Sequence, residues 1–427
     1  MDDYIRKQYS AILKSELIKA LGCTEPIAVA YAAAKARSIL GAMPESCVVR
    51  CSGNIVKNVK GVTVPNSDGM KGISTATVLG IVGGDADSEL SVLQSVKPED
   101  IKKTQELLAT DFCKAELAEG VENLYIDVVV KKGEESAEVL LKDRHTNIIK
   151  IVKNGEVIFE KNDEMSKAAG EFVIDKSTLN VKDIIEYAET APLSEFEELV
   201  LTQVECNMAI AKEGLTKPYG TNVGQTLLAF AETPSVEIKA RAYAAAGSDA
   251  RMSGCPLPVV INSGSGNQGI TVSMPIAVYA EHYNIPREKM LRALALGNLI
   301  SVHQKRHIGN LSAYCGATSA AAGAACGIAW MMGDGYEVIC GTIINSIATI
   351  GGMVCDGAKS SCAAKIASAV ETALTGWHMA QKGRVFAPGE GIVKGNIEDT
   401  IRSVGRMGKI GMASTDIEIL NIMLEDE

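Results

Sequence analysis

Apolar residues recur every three or four positions over 4–20 and 26–42, which predicts two helices joined by the turn Leu21-Gly-Cys-Thr-Glu-Pro26. Residues 46–65 read as extended. They run into Val64-Pro-Asn-Ser-Asp-Gly-Met-Lys-Gly72, a cluster of turn formers ahead of an apolar helix at about 73–83, and a further helix is expected over 97–110. The period then drops to two in Leu124-Tyr-Ile-Asp-Val-Val-Val130, Ala137-Glu-Val-Leu-Leu141 and Asn147-Ile-Ile-Lys-Ile-Val152, the signature of strands in an antiparallel sheet. Asn154-Gly155 sits between two such runs and predicts a tight hairpin, since both residues tolerate positive φ.

A polar stretch over 161–180 marks a domain boundary. Beyond it helical period dominates, through 181–191, 196–214, 223–247 and on to the end. The pattern therefore predicts an α+β protein: a helical segment over 1–50, an α/β domain with an antiparallel sheet over 51–165, and a helical catalytic domain over 166–427.

Composition sharpens this picture. The 427 residues are 47% hydrophobic but only 4% aromatic, with 40 glycines, so the core is filled by aliphatic and small side chains that let helices approach closely. The net charge of −10 and the lack of a basic block argue against nucleic acid as a partner. The first residues carry charges of both signs and no apolar core of a leader, which points to the cytoplasm. Residues 311–332 are built of Ala, Gly, Ser and Cys and read as a buried helix rather than a membrane span. Eleven cysteines in a reducing compartment are not a disulfide framework; metal ligands, nucleophiles and inert core thiols are the alternatives.

Three of those thiols stand in otherwise bland surroundings. Cys315 lies in Leu311-Ser-Ala-Tyr-Cys-Gly316, and Cys355 and Cys362 bracket Asp356-Gly-Ala-Lys-Ser-Ser361, spaced by 40 and then 7 residues. Cys23 lies just before a helix that opens with Thr24 and Pro26, a setting that lowers a thiol pKa. Gly264, Gly266 and Gly269 match GxGxxG after the strand candidate Pro256-Leu-Pro-Val-Val-Ile261, which by itself suggests a dinucleotide loop and an NAD-dependent oxidoreductase. Residues 286–302 form another helix where a second parallel strand would be needed, so the loop reads instead as a cradle for a small carboxylate, with Ser263, Ser265, Asn267 and Gln268 as extra donors. Asn66 and Ser67 in the earlier turn are weaker candidates for holding substrate.

Other sites weigh less. His303 and His307 are four apart on a helix, but Gln304 stands where a zinc protease needs Glu, and Lys305 and Arg306 repel a cation; those two are expected to be exposed or to stand behind the site. His145 reads as a loop residue able to reach over a cleft. Lys359 is conceivable as a pyridoxal-phosphate lysine, which leaves the thiols without a purpose. A non-enzymatic helical scaffold would explain the Ala and Gly but not Cys23. Cys47, Cys51, Cys113, Cys206, Cys255, Cys326 and Cys340 read as core or loop cysteines.

Taken in order, Gly22-Cys-Thr-Glu-Pro26, Gly264-Ser-Gly-Asn-Gln-Gly269, Cys315 and Asp356-Gly-Ala-Lys-Ser-Ser-Cys362 give the chain a resemblance that runs nearly end to end. It resembles the iron–sulfur L-cysteine desulfidases of the UPF0597 type, related to the alpha chains of iron–sulfur L-serine dehydratases. The resemblance implies that Cys315, Cys355 and Cys362 hold a [4Fe–4S] cluster with one iron free of protein thiolate, and that Cys23 is the base. It implies a lyase converting L-cysteine to pyruvate, ammonia and sulfide, or L-serine by the same mechanism, with Ser263, Gly264, Ser265, Gly266, Asn267 and Gln268 around the substrate carboxylate. Subunit number stays open, a homo-oligomer included.

Overall fold

In the computed structural model, residues 1–161, 172–309 and 311–425 are described. The strands are β1 Lys19–Leu21, β2 Ser46–Ser52, β3 Cys113–Ala118, β4 Tyr125–Lys132, β5 Glu135–Lys142, β6 Ile148–Lys153, β7 Glu156–Glu160 and β8 Pro258–Val260. Six of them form one sheet in the order β3-β2-β4-β5-β6-β7, with β2 and β3 parallel and every other pairing antiparallel. The α+β class is therefore correct. The expected hairpin closes β6 and β7, with Asn154 at φ 52° and Gly155 at φ 82°.

The helices before the sheet are α1 Asp3–Glu16, α2 Thr24–Leu40, α3 Gly53–Lys60, α4 Ile73–Gly83 and α5 Pro98–Leu108. After it come α6 Val181–Thr190, α7 Glu197–Thr216, α8 Val223–Ala229, α9 Val236–Met252, α10 Gly266–His282 and α11 Arg287–Ile308. The chain ends in α12 Gly316–Met331, α13 Tyr336–Ile350, α14 Cys362–Gln381, α15 Ile397–Arg406 and α16 Ala413–Glu425. The segment assigned to a domain boundary falls largely on residues 162–171, outside the described residues. One buried apolar core runs from Tyr9 and Ile27 through Val128 and Val139 to Ile270, Leu296 and Trp377. No described helix is long and apolar enough to cross a membrane.

Three local expectations are corrected. Residues 46–65 are extended only to Ser52; Ile55, Val59 and Val62 are buried at helical spacing, and the period of 3.6 wins from Gly53 on. The helix expected over 4–20 stops at Glu16, and Lys19–Leu21 pairs antiparallel with Pro258–Val260, a ribbon too short to show a period. The run 223–247 is two helices, because Pro234 cannot continue the first and Ser235 caps the second by accepting from the Ile238 amide.

Small residues set how the helical body packs. Helix α11 lies along α12 with Gly297 and Gly323 at the crossing, where a Cβ on Gly297 would stand 2.9 Å from the Gly323 carbonyl oxygen and one on Gly323 would run into the Gly297 carbonyl. This contact fixes the helix carrying Lys305 against the helix that begins at Cys315. Gly323→Ala is expected to cost about 1–3 kcal/mol by overpacking. Gly395→Ala, where an added Cβ meets nothing within 4 Å and the backbone is not left-handed, should shift stability by less than about 0.5 kcal/mol. Thermal denaturation of both variants checks the contrast.

Candidate active site

Four helices begin at one cavity. Cys23 is the cap residue of α2, Ser265 that of α10 and Cys315 that of α12, while Cys362 is the first residue of α14. The β1–β8 ribbon brings the first two together, since β1 leads through Gly22 into Cys23 and β8 leads through Asn262 into Ser265. A smaller clasp closes the 40-residue gap between the other thiols: Tyr314 and Val354 form an antiparallel bridge, the Cys315 amide donates to the Met353 carbonyl at 2.9 Å, and the Cys355 amide donates to the Ala313 carbonyl at 2.6 Å. Buried Lys57 on α3 pairs with Asp416 and donates to the Cys355 carbonyl at 3.3 Å, which holds the next loop in place.

The cavity, about 100 Å³, is lined by Cys23, Glu25, His145, Arg251, Lys305 and all three thiols Cys315, Cys355 and Cys362, together with the loop from Ser263 to Gln268. Cys23 packs against Cys362 and Met252. The glycines of the 264–269 loop each have a distinct neighbour. A Cβ at Gly264 would lie 3.1 Å from His145 Cε1, one at Gly266 would collide with Arg251, and one at Gly269 with the Val260 carbonyl. Two of the three thus make room for ionisable side chains, which a simple strand-to-helix turn does not require. The dinucleotide reading fails on topology, because β8 is three residues long, pairs antiparallel with β1, and is followed by helix upon helix.

Charge is unevenly distributed here. Arg251 is 2% exposed; its guanidinium donates to Asn267 Oδ1 at 3.2 Å, its Nε has no partner, and it forms no ion pair among the described residues. Burial pushes Lys305 down to about 8, opposed by the thiols of Cys355 and Cys315. Burial alone would raise Glu25, but His145, the Cys23 thiol and Arg251 outweigh it and hold the carboxyl at about 2. Glu25 Oε1 lies 3.8 Å from His145 Nε2, its Oε2 accepts from the Cys23 thiol at 3.2 Å, and the Thr24 hydroxyl donates to the Gly264 carbonyl at 2.8 Å.

The thiols do not behave as the helix starts alone suggest. Burial raises Cys23 well above its ordinary value and the Glu25 carboxylate adds to this, with Arg251 opposing, so the expected lowering is overturned by desolvation. Burial also pushes Cys315 up to about 12, helped by Cys355 and Cys362 and opposed by the Ala317 amide and Lys365. Cys362 is raised by burial and by Cys355, against the Lys359 amide. Cys315 and Cys362, both raised and both beside Cys355, belong to a thiol donor set that a cation would relieve.

Of the residues picked from sequence, Cys23, Ser263, Gly264, Ser265, Asn267, Gln268, Cys315, Cys355 and Cys362 line this cavity, and Gly266 lies against Arg251 at its wall. Ser265 spends its hydroxyl on capping, at 3.5 Å from the Gln268 amide, and Ser263 donates to Asn262 at 2.9 Å. Asn66 and Ser67 are elsewhere: Asn66 donates to the Leu93 carbonyl and faces a separate surface groove, and Ser67 donates to the Met70 carbonyl. Lys305 is buried in the cavity rather than exposed. His303 turns away to Glu398 Oε2, at 2.7 Å, and accepts from Arg306 on its other nitrogen. Lys359 is paired with Asp356 at 2.5 Å. Sequence reasoning passed over Glu25 and Arg251, although Glu25 stood inside the quoted turn and Arg251 is a lone cation in the small-residue run Ala244-Ala-Ala-Gly-Ser-Asp-Ala-Arg-Met252.

A family model described as serine dehydratase alpha chain matches residues 87–421. The chain belongs to this family. It is also 50% identical to a UPF0597 protein of Lachnoclostridium phytofermentans over 98% of its own length and 99% of the other's. A UPF0597 protein of Finegoldia magna is 50% identical over 98% and 100%, and one of Treponema denticola 45% identical over the whole of both chains. The region matched by the family model includes Cys315, Cys355, Cys362 and the glycine loop, while Cys23 and Glu25 lie before it.

Two predictions concern stability. A buried guanidinium without a counter-charge does not stabilise the fold, so Arg251→Met should leave Tm unchanged or raise it; a fall of several degrees in a thermal melt would refute the assignment. Half-buried His307 is pushed down to about 4 by burial, with Arg306 adding to the effect. The fold therefore favours its neutral form: this stability is fully present above about 6.5, where the unfolded imidazole is also neutral, and is lost as pH falls through 4. His307→Gln should flatten the decline of Tm between those pH values.

Proposed function

We propose that this cavity catalyses β-elimination on a small β-substituted L-amino acid, with L-cysteine as the substrate and pyruvate, ammonia and sulfide as products. One observation carries the reading: three thiols that are remote in sequence line the same small cavity as Cys23 and an unpaired, buried Arg251.

The thiols suit an iron–sulfur cluster. Among the described residues no three or more His, Cys, Asp or Glu side chains close around a point as a single metal ion demands. A four-iron cluster spreads its ligand sulfurs farther apart. Cys315, Cys355 and Cys362 would hold it, the first two on backbone fixed by the hydrogen bonds described above and the third by its amide, which donates to the Lys359 carbonyl at 3.0 Å, with the helix starts at Cys315 and Cys362 favouring negative charge. Bound there, a [4Fe–4S] cluster supplies a Lewis-acidic iron that polarises the bond from Cβ to its sulfur or oxygen.

The remaining work falls to the chain. Arg251 takes the substrate carboxylate, which supplies the counter-charge it lacks, and the amides and side chains of the 264–268 loop orient that carboxylate. Glu25 stays ionised and faces the substrate ammonium, with His145 behind it. Neutralising Glu25 in this way removes one of the influences that hold the Cys23 thiol neutral. Cys23 passes its thiol proton by way of Glu25, which accepts its hydrogen bond, to His145 behind it; the thiolate, a strong base because burial raises its pKa, then accepts the α-proton, and the Cα–H electron pair becomes the Cα=Cβ bond as the Cβ–S bond breaks and hydrosulfide leaves. The aminoacrylate so formed tautomerises to the imine, which water hydrolyses to pyruvate and ammonia.

The family's printed description favours a second substrate, L-serine, whose hydroxyl would leave in place of hydrosulfide. Steady-state kinetics on both amino acids separate the two. For the mechanism, protein purified without oxygen should show a broad visible shoulder and contain iron and sulfide. Cys23→Ala is expected to keep both and lose about 10²–10⁴ in kcat, whereas Cys315→Ala, Cys355→Ala or Cys362→Ala should lose metal and activity together. Wild-type turnover by Cys23→Ala would overturn the base assignment while leaving the cluster standing.

A further inference from the structure

Away from the cavity, two more thiols meet. Cys47 on β2 and Cys113, the first residue of β3, are register partners in the parallel pair, and the Cys47 amide donates to the Phe112 carbonyl at 2.8 Å. Register partners in a parallel ladder carry their side chains on the same face, with Cα atoms about 5 Å apart, inside the span a disulfide bridges. Cys47 is buried and Cys113 is partly exposed at the outer edge of the sheet, since β3 is the terminal strand. Both are reduced.

We propose that Cys47 and Cys113 form a dithiol that hydroperoxides oxidise reversibly to a disulfide. Their chemistry differs in the way such a pair requires. Cys113 is the more exposed of the two, and it is lowered by accepting a hydrogen bond from Cys47, which is itself raised by donating it and by burial, so Cys113 is the sulfur that reacts first. Its sulfur attacks one peroxide oxygen, breaking the O–O bond and giving a sulfenic acid and an alkoxide, or hydroxide from hydrogen peroxide, that takes up a proton. The Cys47 sulfur then displaces the sulfenic oxygen as water, its own proton leaving with it. Overall two thiols lose two electrons and the peroxide is reduced. An edge strand bonded to the sheet on one side only can shift to accept the bridge.

The consequence reaches the cavity through covalent continuity. Strand β2 runs directly into α3, whose Asn58 lines the cavity and whose Lys57 holds the Cys355 carbonyl. A bridge between residues 47 and 113 ties that strand to the sheet edge.

The test is a peptide mass map under non-reducing conditions, on full-length protein purified without oxygen and then treated with a few equivalents of hydrogen peroxide. The expected result is one cross-linked peptide joining residues 47 and 113, removed by dithiothreitol and absent in both Cys47→Ser and Cys113→Ser, whose melting curves show that they fold. If Cys113 in the folded wild-type protein is instead recovered unmodified, or as sulfinic acid with no cross-link to Cys47, the proposal is overturned. Because the map assigns every thiol, oxidation of Cys23 or of the cavity trio is read separately and cannot imitate the result.

Discussion

The site depends on a geometric constraint that the fold has to meet: four helices must start within reach of one small cavity. A helix start exposes amides without partners and carries about half a positive charge, so four of them together create a field that favours anions. Two ribbons arrange this. The β1–β8 pair brings the starts of α2 and α10 side by side, and the Tyr314–Val354 bridge ties the start of α12 to the loop that enters α14. Thiols stand at or beside three of these starts, on backbone that the ribbons hold in place. Gly and Ala surround them because bulk would push the helices apart, as at Gly316, where an added Cβ would collide with Gln268.

Much of this was legible in the chain and some was not, for reasons of scale. Elements long enough to show a period were read correctly, among them the β4–β7 meander and the helix at 73–83. One strand of the ribbon, Pro258–Val260, lies within the strand expected over 256–261, but Lys19–Leu21 is too short to show a period and reads as the end of a helix, so the pairing of the two, and with it the meeting of Cys23 and Gly264, was invisible. Residues 53–60 misled because a helix of eight residues offers only two turns to set against a preceding strand. Cys23 was found, but its environment was misjudged: a helix start lowers a thiol pKa, yet full burial beside Glu25 raises it more, and burial is a property of the tertiary structure. Arg251 and Lys305 show the same limit. A cation in an apolar run is either exposed at the edge of a stripe or buried with a purpose, and only the packing tells which.

Burying these ions is costly, and the structure offsets that cost only in part. Lys57 has Asp416, and His303 has Glu398, so each closes a local pair that positions backbone. Among the described residues Arg251 and Lys305 have no such partner, and Glu25 is the one carboxylate of them that lines the cavity. Buried charges left in this state lower stability. Their presence marks a place where binding, and not folding, completes the electrostatics.

The charges also constrain what can complete it. Two buried cations and four helix starts face one carboxylate, so the cavity is built for more negative charge than its neutral thiols supply. Ionising Cys315 or Cys362 without a metal is opposed by burial and by the neighbouring thiols, which hold Cys315 at about 12. A cation shared among the three sulfurs removes both penalties at once, and the surrounding field then favours the anionic assembly. On the proposed reading Arg251, beside Asn267, would answer a separate anion and Glu25, beside Cys23, a cation. A zwitterionic amino acid presents both charges on one carbon, the carbon whose proton a base at Cys23 would remove.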